Sequence, residues 1–124
     1  MPSRATLRTM DDFRIAAVYT ETTVHDVVIW MHGIAVNKDE YLNFFHDGSD
    51  YLAAEGIGSI RFDFRGHGDS SGKPRDFSLV GQNLDAEAVS AFARKHYGDA
   101  PATRFHLVAA SFGAPRTRNR IVSP

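Results

Sequence analysis

Between residues 27 and 110 the chain alternates strand, helix, strand, helix, strand, and few folds accommodate that order. Val27-Val28-Ile29-Trp30-Met31 is an unbroken β-branched and aromatic run, the mark of a strand buried on both faces. Asn37 is placed to cap a helix, and Glu40 three positions on gives a capping-box-like pattern. Tyr41, Phe45 and Leu52 then share a helical face, Gly48 is expected to break or kink the helix, and Gly56 to end it. Residues 59–64 alternate as a strand, with Ile60, Phe62 and Phe64 on one side. Ser78 opens a second helix, whose expected apolar stripe is Leu84, Ala88, Ala91 and Phe92. Arg94, Lys95 and His96 suit the negative end of its dipole, and Gly98 terminates it. Residues 105–110 form the next strand. Two successive βαβ units predict an α/β fold with a mostly parallel sheet, flanking helices and right-handed crossovers. Ahead of them, residues 13–19 read as a strand paired with a shorter one at 5–9, with Asp11-Asp12 as the turn.

In such sheets ligand chemistry belongs at the carboxyl ends of the strands. Three loops leave those ends. In Leu107-Val108-Ala109-Ala110-Ser111-Phe112-Gly113, a strand turns sharply into a helix with a serine at the apex, as a serine hydrolase displays its nucleophile. Ala109 and Gly113 flank the turn, where the usual pattern has glycine at both places; the other reading is an N-cap serine after a buried strand. In His32-Gly33-Ile34, a backbone N–H held open by glycine can donate to a developing oxyanion. The other reading is an ordinary glycine turn beside a partly buried histidine. In Asp63-Phe64-Arg65-Gly66-His67-Gly68-Asp69-Ser70, Gly66 and Gly68 permit positive φ, and Asp63 and Arg65 are placed to pair or to hold neighbouring loops. Gly66, Gly68 and Gly72 are spaced one residue too long for a dinucleotide fingerprint.

The bulk chemistry excludes several classes. Hydrophobic residues make up 43% and charged residues 23%, so one globular domain is expected. A net charge of −1 gives no reason to invoke nucleic acid or an anionic membrane. There is no cysteine, hence no disulfide framework or thiolate metal site, and the six histidines show no metal-ligand spacing. The first 13 residues contain no signal-like apolar stretch, and a cytoplasmic protein is expected. All 15 acidic residues precede residue 116, whereas Arg116, Arg118 and Arg120 crowd the end as a solvated tail.

Taken together, the runs Val28-Ile29-Trp30-Met31-His32-Gly33, Arg61-Phe62-Asp63-Phe64-Arg65-Gly66-His67-Gly68-Asp69-Ser70 and Leu107 to Gly113 resemble the α/β-hydrolase superfamily. The likeness is to its esterase, lipase and serine-aminopeptidase-like members, over residues 5–114. It implies that Ser111 attacks an acyl carbon of a carboxylic ester or similar small-molecule substrate. The backbone N–H groups of Ile34 and Phe112 would hold the oxyanion. His32, Gly33, Asp63, Arg65, Gly66, Gly68 and Gly113 would shape the loops. No cofactor or metal is implied.

The family's triad runs Ser, then Asp or Glu, then His. The 13 residues after Ser111 contain none of the latter three. The expectation is therefore a truncated α/β-hydrolase fold: residues 1–114 as the N-terminal part of the domain, and 115–124 as a basic tail foreign to it. Such a chain is expected to be catalytically impaired and to self-associate through an open sheet edge. The alternative is a non-catalytic hydrolase remnant acting by interaction or complementation.

Overall fold

The computed structural model describes residues 2–33, 37–40, 43–98 and 102–110. Within them the chain forms β1 (Ser3–Arg8), β2 (Arg14–Thr20), β3 (Asp26–Met31), α1 (Phe44–Ala54), β4 (Gly58–Phe62), a 3₁₀ turn (Pro74–Asp76), α2 (Leu79–Tyr97) and β5 (Arg104–Ala109). The sheet order is β1-β2-β4-β3-β5. β3 runs parallel to both β4 and β5. β1 and β2 form an antiparallel hairpin, and β2 joins β4 antiparallel. The hairpin closes where the Thr9 N–H donates to the Phe13 carbonyl at 2.9 Å, with Asp12 at φ 71°.

Why the β3 run is apolar throughout is now plain. Successive side chains of a strand point to opposite faces, and both faces are covered. Val27, Ile29 and Met31 pack with Ile15, Ala17, Ile60, Phe62 and Phe64 against Val89 and Ala93 of α2. Val28 and Trp30 pack against Phe45 of α1, with Leu52, Ile57, Val108 and Ala110 around them. Each large apolar side chain removed from water here contributes roughly 1.5–3 kcal/mol. Among the described residues no helix is long and apolar enough to cross a membrane.

Both helices depart from their sequence patterns. α1 begins at Phe44, not after Asn37; the Asn37 side chain instead accepts the Asp39 N–H at 2.9 Å and closes a local turn. Gly48 does not break α1. A Cβ there would stand 2.7 Å from the Trp30 ring, so glycine lets the helix lie close to the sheet. In α2 the fully buried row is Gly81, Gln82, Asp85, Val89 and Ala93, whereas Ala91 is exposed and Leu84, Ala88 and Phe92 are half-buried. The helix is rotated from the expected stripe, because Asp85 faces inward to a buried arginine. Its ends follow the sequence: the Ser78 hydroxyl accepts the Gly81 N–H at 3.0 Å, and Gly98 follows the last residue with φ 91°.

Candidate active site

Parallel pairing brings the carboxyl ends of three strands level. Met31 stands opposite Phe62 on one side and Ala109 on the other. The loops that leave β3 and β4 and the exit of β5 therefore share one rim. The Ala110 N–H donates to the Met31 carbonyl at 3.1 Å, carrying the β3–β5 ladder one residue beyond the strand. Ser111, Phe112 and Gly113, and likewise Ile34, lie outside the described residues.

His32 is 1% exposed, and both of its ring nitrogens are engaged. Nε2 accepts the Phe64 N–H at 3.0 Å, while Nδ1 lies 2.7 Å from the Gly33 carbonyl. Only the neutral ring protonated on Nδ1 satisfies both contacts. Burial pushes its pKa below the ordinary histidine value, which fits that form. His32 is thus a strut between the β3 and β4 loops. The Gly33 N–H is also committed, donating to Glu40 Oε1 at 2.7 Å. Glu40 accordingly braces a loop instead of completing a helix cap.

Asp63 and Arg65 do not pair with each other; they brace different neighbours. The Asp63 side chain is fully buried. It accepts the Lys38 N–H at 2.6 Å, the Lys38 ammonium at 3.0 Å and the Asp69 N–H at 2.9 Å. Burial works against the Lys38 charge, but Asp63 and Asp69 outweigh it, and the Lys38 pKa lies above the ordinary lysine value. Gly68 turns past this carboxylate at φ 48°, where a Cβ would sit 2.4 Å from it. Gly66, at φ 76°, passes the Lys73 carbonyl just as closely, at 2.3 Å from a Cβ.

Arg65 reaches the other way. Its N–H and Nε donate to Asp85 of α2 at 2.9 and 3.0 Å. Its terminal nitrogens donate to Asp11, in the β1–β2 turn, at 2.6 and 2.8 Å, and the guanidinium lies 4.0 Å from the Phe13 ring centroid. The Arg65 hydrogen bonds lower the Asp11 pKa to about 2. Burial pushes the Asp85 carboxyl upward, with Arg65 pulling against it.

Sequence reasoning missed Lys38 and Asp85, gave Glu40 a helix-capping role in place of its bond to Gly33, and placed Asp11 in the hairpin turn without its partner Arg65. For Asp85 a signal exists: it interrupts the small and apolar row Gly81, Val89, Ala93 at helical spacing. Nothing in the pattern around Lys38 distinguishes it from a surface lysine. Among the described residues no group of three His, Cys, Asp or Glu side chains is arranged to hold a metal ion.

Residues 27–121 match the profile of the alpha/beta hydrolase family. No curated protein matches the chain. Among solved structures, an esterase of Pyrococcus furiosus superposes with a TM-score of 0.75 at 24% identity, over 92% of this chain and 41% of its own. The alpha/beta hydrolase GrgF of Penicillium sp. sh18 superposes at 0.76 with 20% identity, over 94% and 40%. Est1E of Butyrivibrio proteoclasticus, with ferulic acid bound, gives 0.73 with 22% identity, over 94% and 49%. At these identities the likeness is one of fold, and the chain spans less than half the length of each.

Proposed function

Because the chain belongs to the alpha/beta hydrolase family, we propose that it carries the nucleophile-bearing part of a serine hydrolase acting on a carboxylic ester or related acyl substrate. Ser111 follows directly on Ala110, which stands at the rim where the loops leaving β3 and β4 also emerge. That convergence is the observation supporting the reading. The Ser111 Oγ attacks the acyl carbon, and the carbonyl oxygen takes negative charge facing the N–H groups of Ile34 and Phe112. Collapse forms an acyl-serine and releases the alcohol, and water then cleaves the ester to return the acid.

A general base must take the serine proton, and His32 is not suited to it. It is buried, its pKa is lowered and its Nε2 is held by Phe64. The base therefore comes from a residue other than His32. In its absence the oxyanion donors sustain only a fraction of the rate. A fluorophosphonate probe tests the reading. Slow labelling that maps to Ser111 and disappears in Ser111→Ala is the expected result. Labelling that survives Ser111→Ala, or none at Ser111 in a folded chain, would overturn it.

A further inference from the structure

We propose that Lys38 is a positioning residue, locking the loop that leaves β3 onto the loop that leaves β4. The proposed oxyanion donor, Ile34, lies in sequence within the span so fastened, and in this respect the inference rests on the reading of Ser111 as a nucleophile. The span from His32 to Glu40 is tied at both ends to two adjacent residues. At its start, His32 Nε2 accepts the Phe64 N–H at 3.0 Å. At its end, Lys38 binds Asp63 twice, through its own N–H to Oδ1 at 2.6 Å and through its ammonium to Oδ2 at 3.0 Å. The ammonium also reaches Asp69 at 3.2 Å, on the far side of the Gly68 turn. Asp39 beside it is paired with Arg61 of β4.

This double grip is more than charge neutralisation. The side chains of Lys38 and Asp63 are 11% and 0% exposed, so without the ammonium the Asp63 carboxylate is a buried charge that has lost its partner. The main-chain bond fixes where residue 38 sits, and the ammonium fixes how the carboxylate is turned to receive that bond. An oxyanion donor acts only when preorganised at the point where charge develops, so a loose end would cost rate without altering the nucleophile.

Three variants test this. In Lys38→Met, backbone hydrogen exchange at Gly33 and at residues 38–40 should quicken, and fluorophosphonate labelling of Ser111 should slow by roughly 10- to 100-fold. Lys38→Arg should recover most of the labelling rate, since a guanidinium can still donate to Asp63. The double variant Lys38→Met/Asp63→Asn removes both charges. It should regain only part of the melting temperature, since the amide nitrogen now faces the Asp69 N–H, and none of the labelling rate. If the labelling rate recovers, Lys38 only neutralises Asp63, and the proposal is overturned. Unchanged labelling in a folded Lys38→Met overturns it as well. If the wild-type chain is unlabelled at Ser111, the nucleophile reading fails and exchange alone judges the lock. Faster exchange confined to Gly33 and residues 38–40 then supports it, and unchanged exchange there removes it.

Discussion

His32 can accept from Phe64 only while its Nε2 carries no proton, so protonation breaks the bond between the first two loops of the rim. Its pKa is depressed in the folded chain, chiefly by burial. The unfolded chain therefore takes up a proton near pH 6.5 while the folded chain does not. With more protons bound to the unfolded state, stability falls as pH drops below 6.5 and is regained above it. Denaturation midpoints followed downward through that pH should decline more steeply for the wild type than for His32→Gln. The ¹⁵N shifts of the ring should report the neutral Nδ1-protonated form on both sides of pH 6.5. A ring that charges at or above 6.5 without loss of the Phe64 contact would contradict this account. The sequence named His32 as a loop residue after a buried strand, and its burial follows from that position. Its partner, Phe64, was not legible, because the contact depends on β3 and β4 lying side by side at the same level, a tertiary fact.

Arg65 couples three elements, and the strength of each coupling follows from exposure. Its side chain is 4% exposed; Asp85 on α2 is 0% exposed and Asp11 in the hairpin turn 38%. Asp11 still faces the guanidinium when Asp85 is removed, but the buried Arg65 N–H and Nε then lose their acceptor, at a cost of about 1–3 kcal/mol for each unsatisfied group. Removing Asp11, which is 38% exposed, costs less, since water can reach the place it leaves. In chemical denaturation at neutral pH, Asp85→Ala should therefore lower stability more than Asp11→Ala. Equal losses would mean that Arg65 is not anchored to the helix. The same pair explains why α2 was misread. By residue character Leu84 and Phe92 outrank Gly81, Gln82 and Asp85 for burial, yet the helix turns the latter row inward so that Asp85 meets Arg65. The caps at Ser78 and Gly98 were legible because their partners lie within a few residues. Asn37 and Glu40 misled for the reverse reason: Glu40 spends its carboxylate on Gly33, seven residues back across the rim.

At the scale of the whole molecule, the alternation that predicted two βαβ units is the arrangement found, with β3 between β4 and β5. The strands nevertheless differ in how they are covered. Val27 to Met31 of β3 and all of β4 are buried, whereas Ser3, Arg4, Thr6 and Arg8 of β1 are exposed, and β5 is half-buried from Phe105 to Ala109. Among the described residues β5 has β3 as its one strand neighbour. Local opening needs less free energy where fewer apolar contacts must be broken. Native-state hydrogen exchange should therefore be slowest at the amides of β3 and β4, faster in β5, and fastest in β1. If β5 proves as protected as β3, a further strand must lie along it. Its source can be told apart by repeating the measurement across a concentration series. Protection of β5 that rises with protein concentration would mark pairing between copies along that edge, because a second copy binds by mass action. Protection independent of concentration would place the covering segment within the same chain, and self-association along β5 would then be excluded.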